Sequence, residues 1–155
     1  MSAKKILFPT DFSPGSNSCL EHATHLAASQ GATLIICHVE EPPLAYGGGE
    51  MYYGLPIRDE GSVQKILESI VPSDPNVSFE HRLLSGDPAT EILHLAEEED
   101  VSLIVLGTHG RTGLSRMLMG SVAEAIVRRA KCPVLTIKEP TETSKEPTET
   151  SSTVE

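Results

Sequence analysis

The chain has 155 residues, 39% of them hydrophobic, and a net charge of −10 at neutral pH, which suits one globular domain around one core. That charge argues against non-specific attachment to nucleic acid or to an anionic membrane, because both would repel it. No apolar run approaches the roughly 18 residues of a membrane span, and three cysteines without paired spacing leave no disulfide framework.

The start, Met1-Ser2-Ala3-Lys4-Lys5, leads into a strand without a signal-peptide apolar region, so a reduced cytoplasm is the expected location. Ile6-Leu7-Phe8 reads as the first strand and ends at Pro9-Thr10-Asp11. Residues 16–30 read as a helix with Cys19, Ala23, Leu26 and Ala27 on one face, stopped by Gly31 as a left-handed cap. Residues 32–39 form a continuous apolar strand containing Cys37, which like Cys19 reads as a packing residue. Residues 40–57, with Pro42-Pro43, three consecutive glycines and Tyr46, Tyr52 and Tyr53, read as a long irregular connection.

Val63, Ile66, Leu67 and Ile70 mark a second helix, ended before Pro72, and residues 77–84 a third strand. Asp87-Pro88 supplies an N-cap and a first-turn proline for a helix that turns Ala89, Ile92, Leu93 and Ala96 inward. A strand over 101–106, a glycine-bearing connection, a helix over 120–131 and a strand over 133–137 complete the pattern; Cys132 precedes that last strand and is the most accessible thiol. Residues 138–144 and 145–151 are the same seven-residue sequence, almost without apolar side chains. Residues 139–155 therefore read as a disordered acidic tail behind a domain at 1–138.

Alternating strands and helices predict an α/β three-layer sandwich: a five-stranded parallel sheet with helices on both faces. Strands one, two and four are nearly unbroken apolar runs, as central strands are, whereas three and five alternate, as edges do. With right-handed crossovers the order is 3-2-1-4-5. The order then reverses between strands one and four, and ligands bind at such a point beyond the strands' carboxyl ends.

Gly107, Gly110, Gly120 and Ser121 fall on the connection that leaves strand four. Glycines there let main-chain N–H groups approach a ligand, and the following helix turns its N-terminal amides and positive dipole end to the same space. This device suits a phosphate. Arg111, inside the motif, is the better arginine for an anion; Arg111 and Arg116 also have surface carboxylates as alternative partners. His109 is a candidate phosphate donor and equally a loop residue without a role. Ser121 is also a plain N-cap, Asp11 also a cap of the first helix or its turn, and Val39 also a core residue whose backbone can still read a purine edge.

The spacing Gly-x2-Gly-x9-Gly-Ser resembles the nucleotide-binding signature of the universal stress protein family, in its ATP-binding branch. The likeness runs from Lys4–Ser13 through Cys37-His38-Val39 and Ser85-Gly86-Asp87-Pro88 to residues 131–137. It implies ATP, or alternatively AMP or ADP; Mg2+ or Mn2+ is expected to bridge the phosphates, since a dianionic tail beside an acidic protein needs a counter-charge. It also implies that Asp11 and Val39 address the nucleoside and that Pro9, Thr10, Leu106, Thr108 and Val122 line the pocket. A homodimer paired antiparallel through strand 133–137 follows from the same likeness, together with stress response or signalling through an unidentified partner.

The sequence holds no Gly-x4-Gly-Lys-Ser/Thr loop, no Gly-x-Gly-x-x-Gly after a strand and no Gly-x-Ser-x-Gly elbow. No general base stands beside an activated nucleophile, and the six histidines form no metal pattern; no catalytic residue or protein metal site is assigned. Binding and signalling are therefore expected over efficient turnover. The rival readings are a nucleotide-dependent hydrolase or transferase on the same scaffold, with weak ATPase activity, and a nucleotide-free interaction module using residues 40–57 and the tail. Glu124 and Arg128, four apart, are expected to form a surface ion pair.

Overall fold

A computed structural model describes residues 4–42, 51–52, 55–56, 60–108 and 119–138. In chain order it contains β1 (Lys5–Pro9), α1 (Gly15–Gln30), β2 (Thr33–Glu40), β3 (Met51–Tyr52), β4 (Leu55–Pro56), α2 (Glu60–Glu68), β5 (Phe79–Ser85), α3 (Pro88–Glu98), β6 (Leu103–Gly107), α4 (Ser121–Arg129) and β7 (Val134–Ile137). The main sheet is parallel throughout, in the order β5-β2-β1-β6-β7. Counting only its own strands, this is the expected 3-2-1-4-5. Residues 40–57 are not wholly irregular: β3 and β4 pair antiparallel, Met51 with Pro56 and Tyr52 with Leu55. Their separation by two residues is hairpin spacing.

The apolar texture of each strand decides its place. β1, β2 and β6 bury every residue but their ends, whereas β5 and β7 stay half-exposed at the rims. Side chains alternate across the pleat. Ile6, Phe8, Leu34, Ile36 and Val105 meet Cys19, Ala23 and Ala27 of α1 and Leu67 of α2 on one face. Leu7, Ile35, Cys37, Val39, Ile104 and Leu106 meet Ala89, Ile92, Leu95 and Ala96 of α3 and Ala123 and Ile126 of α4 on the other. Each fully buried large aliphatic side chain contributes about 1.5–3 kcal/mol. Two expected inward residues, Leu26 and Leu93, are only half-buried, and Thr24 and Leu95 take the deeper positions instead. Thr24 Oγ1 is the one buried side-chain polar atom without a hydrogen bond among the described residues.

The helix ends are locally specified. Gly31 stops α1 at φ 64° and its N–H reaches back to the last turn. Asp87 caps α3, its Oδ2 accepting from Thr90 N at 3.0 Å and Thr90 Oγ1 at 2.8 Å, and these bonds hold its carboxyl below the usual range. Gly86 before it has φ 136°, and a Cβ there would lie 3.1 Å from the Glu91 side chain.

An ion cluster ties the amino end of β1 to β5 and to the end of α3. Glu99 accepts from Lys5 Nζ at 2.8 Å and from Arg82 Nη2 at 2.7 Å, and Arg82 also meets Glu80 at 3.1 Å. The Lys5 and Arg82 bonds hold the Glu99 carboxyl below its ordinary range. Glu124 and Arg128 form the expected exposed pair at 2.8 Å. Cys19 and Cys37 are buried and Cys132 half-buried, none of them in a disulfide, and burial pushes the Cys37 thiol up to about 12. No helix among the described residues is long and apolar enough to cross a membrane.

Candidate functional site

The sheet parts where its order reverses, and a proline sets the place. Ser102 N donates to Lys5 O at 2.8 Å, so the odd-numbered residues of β1 turn their polar backbone towards β6. Residue pairing across this seam stops at Ile6–Leu103 and Leu7–Ile104. The next rung needs an N–H from residue 9, and Pro9 has none. Beyond it each backbone follows its outer neighbour. Thr10 N donates to Cys37 O of β2 at 2.8 Å, and Thr108 N donates to Ile137 O of β7 at 3.1 Å. A crevice therefore opens between Thr10-Asp11 on one side and Gly107-Thr108 on the other.

The turn after β1 is tightly bonded. Asp11 Oδ1 accepts from Ser13 N at 2.9 Å and Ser16 Oγ at 3.1 Å, the capping role weighed for it, so the carboxylate is fixed at the start of α1. Phe12 N donates to Thr10 Oγ1 at 3.1 Å. Phe12 itself has φ 68°, a left-handed conformation that costs an L-residue about 1–2 kcal/mol. Its ring stacks on His38, with centroids 4.0 Å apart and planes at 23°. His38 is 8% exposed, and its Nδ1 lies 2.8 Å from Thr10 O. A carbonyl can only accept, so Nδ1 carries the proton.

Val39 contributes backbone rather than side chain. Its side chain is buried in the α3–α4 face. Even-numbered β2 residues bond towards β5, as in Leu34 N to Ser78 O and Gly86 N to Glu40 O; odd ones bond towards β1, as in Thr33 N to Lys4 O and Thr10 N to Cys37 O. Val39 thus aims its N–H and C=O at the β1 side, one step past the last rung. Leu106 is likewise core, 5% exposed, and Thr108 is 8% exposed.

Across the crevice, α4 begins after Gly120, whose φ −64° and ψ 156° any residue adopts; only its missing Cβ distinguishes it. Gly120 N donates to Thr108 O at 2.6 Å, so this amide and that of Thr108 serve the fold rather than a ligand. The donors offered at this end are those of Ser121, Val122 and Ala123, which have no acceptor within their own helix, and Gly120 provides no side-chain cap. Ser121 and Val122 lie on the exposed surface, Val122 at 38%. The expected phosphate residues His109, Gly110 and Arg111 lie outside the described residues, as do residues 43–50 and 139–155.

A separate cavity of about 320 Å³ lies behind the Phe12 turn on the α1–α2 side, lined among others by Phe8, Thr10, Phe12, Leu20, Ile66 and Ile70. Sequence reasoning found neither it nor the His38–Phe12 stack. The available signal was His38 itself, a polar residue within an otherwise apolar strand and next to Val39.

A doubly wound parallel sheet, open at its switch point and flanked there by a helix N-terminus, defines the α/β class built like the adenine nucleotide alpha hydrolases. The model of the universal stress protein family matches residues 2–138. Universal stress protein MJ0531 of Methanocaldococcus jannaschii is 38% identical over 143 residues, covering 88% of this chain and 82% of that one. The solved structure of MJ0577 superposes with a TM-score of 0.66 at 26% identity, covering 92% of this chain and all of the other. A universal stress protein solved in complex with cAMP gives a TM-score of 0.58 at 25% identity, with 89% and 98% covered. The chain belongs to the universal stress protein family.

Proposed function

We propose that this protein binds ATP, or another adenine nucleotide, in the crevice between β1 and β6 and acts in stress signalling rather than in turnover. The observation that carries the reading is the N–H and C=O of Val39, aimed past the end of the β1–β2 ladder. A donor and an acceptor side by side match the Watson–Crick edge of adenine, where a ring nitrogen accepts and the 6-amino group donates. Guanine reverses that pattern. The relative solved with cAMP supports an adenine ligand. Asp11, fixed at the start of α1, takes the ribose or base side. The amides of Ser121, Val122 and Ala123, with the motif residues Gly107, His109, Gly110 and Arg111, take the phosphates.

Among the described residues no group of three or more His, Cys, Asp or Glu side chains could hold a metal. Mg2+ or Mn2+ would bridge the phosphates, because a polyphosphate beside a chain of net charge −10 needs a counter-charge. We also propose a homodimer paired through β7. A cytoplasmic location suits three cysteines that form no disulfide.

The deciding measurement is nucleotide content: protein is purified fresh, denatured, and its released small molecules identified by mass spectrometry, with calorimetry against ATP, AMP and GTP. Gly120→Val puts a branched side chain at the mouth of α4. We expect ATP affinity to fall about tenfold or more with helix and sheet signal retained. Equal affinity for GTP and ATP, or unaltered ATP affinity in both Gly110→Val and Gly120→Val, removes the site.

A further inference from the structure

Among the described residues the Val39 N–H and C=O lack their ladder partners, because two other groups have taken them. Carried one step further, the β1–β2 register (Pro9 opposite Cys37) would join Val39 N to Thr10 O and Phe12 N to Val39 O. Among the described residues neither bond forms. Thr10 O instead accepts from His38 Nδ1 at 2.8 Å, and Phe12 N donates to Thr10 Oγ1 at 3.1 Å. The two diversions support one another. The left-handed φ of 68° at Phe12 turns its N–H away from β2, and the ring stack holds Phe12 over His38. Backbone groups inside a fold are almost always paired, so a donor and acceptor kept from their neighbours mark a place prepared for something else.

We infer that His38 and Thr10 are positioning residues that intercept the next rung of the β1–β2 ladder and so keep the Val39 N–H and C=O available to an adenine edge. The inference rests on the nucleotide reading above. It adds the reason why that edge exists and the residues that set it. The bond to Thr10 O is made by one His38 atom, Nδ1. The side-chain amide of asparagine can present a donor where Nδ1 stands; glutamine places its donor one bond further out, and phenylalanine retains the stack without the donor.

The test uses the full chain with His38→Asn, His38→Gln and His38→Phe, read by ATP calorimetry and by NMR amide exchange at Val39 without ligand. His38→Gln and His38→Phe release Thr10 O to Val39 N. The Val39 amide should then exchange about tenfold more slowly or better, while ATP affinity falls by a similar factor. His38→Asn should stay within about threefold of the parent in both readouts. Unchanged Val39 exchange in the glutamine and phenylalanine variants overturns the inference, as does a loss in the asparagine variant equal to theirs. If a His38 variant does not fold, Thr10→Val against Thr10→Ser asks the same question through the hydroxyl that holds Phe12 N, with an NMR trans-hydrogen-bond coupling from Phe12 N to Val39 C=O expected only for valine and its absence there overturning the inference. A parent protein that binds no ATP overturns the nucleotide reading alone, because the exchange comparison still decides whether His38 and Thr10 divert the rung.

Discussion

Single atoms set both the opening of the crevice and one soft point in the core. Pro9 stops the seam with β6 by lacking a hydrogen, and His38 stops the seam with β2 by bonding a carbonyl 28 residues away. The first effect was legible in the sequence, because a proline at the end of a central strand has one meaning for a ladder. The places of Asp11 and Val39 were legible too, since both fall at the ends of strands that composition puts at the centre; what they bind is left to the nucleotide measurement. His38 was not: nothing local tells which carbonyl a strand histidine will meet. Thr24 offers a test independent of any ligand. Its hydroxyl is buried at 1% exposure without a partner, so Thr24→Val removes an unsatisfied group at nearly constant shape. Urea unfolding should show a gain of about 1 kcal/mol; a loss of that size would mean the hydroxyl has a partner in solution.

Among the elements, apolar texture gave the order of the strands, and the Asp87-Pro88 cap and Gly31 stop gave helix ends to within a residue or so. The β3–β4 pair was hidden because glycine and proline around it outweigh two tyrosines and a methionine. The Lys5–Glu99–Arg82 cluster was hidden because its members are as far as 94 residues apart. That cluster has a pH signature. A carboxyl held low in the folded state stabilises above its ordinary 4.5, and the contribution fades as pH falls through the lower folded value. Glu99→Gln should therefore lose less stability than the parent between about pH 6 and about pH 3. Asp87, held low by Thr90, keeps part of the slope in both. Parallel stability curves for parent and variant would show that the Glu99 bonds contribute nothing in solution.

At the scale of the molecule, β7 is the open rim nearest the crevice, with Leu135 38% exposed. Pro133 O and Ile137 O accept from Ile104 N and Thr108 N, so the odd residues of β7 face β6 and Thr136 turns its N–H outward. Thr136→Pro deletes that outward donor while sparing the inner ladder, and a proline is tolerated on an outer strand. Sedimentation should find the parent dimeric at tens of micromolar, about the range of ordinary reversible dimers, and the variant monomeric. A monomeric parent at that concentration would exclude pairing through β7. The acidic chain, at −10, also makes a polyphosphate depend on its cation. Chelation of divalent metal should weaken ATP far more than AMP.

The sheet is least braced at the seam where its order reverses, because β1 and β6 share only two residue pairs. β1 stays bound to β2 over five residue pairs, β2 to β5 over seven and β6 to β7 over four, so two firm wings meet along one short seam. A molecule gripping Val39 on one wing and the α4 amides on the other would act as a cross-tie. Its arrival would brace the shortest seam without altering the sheet's topology.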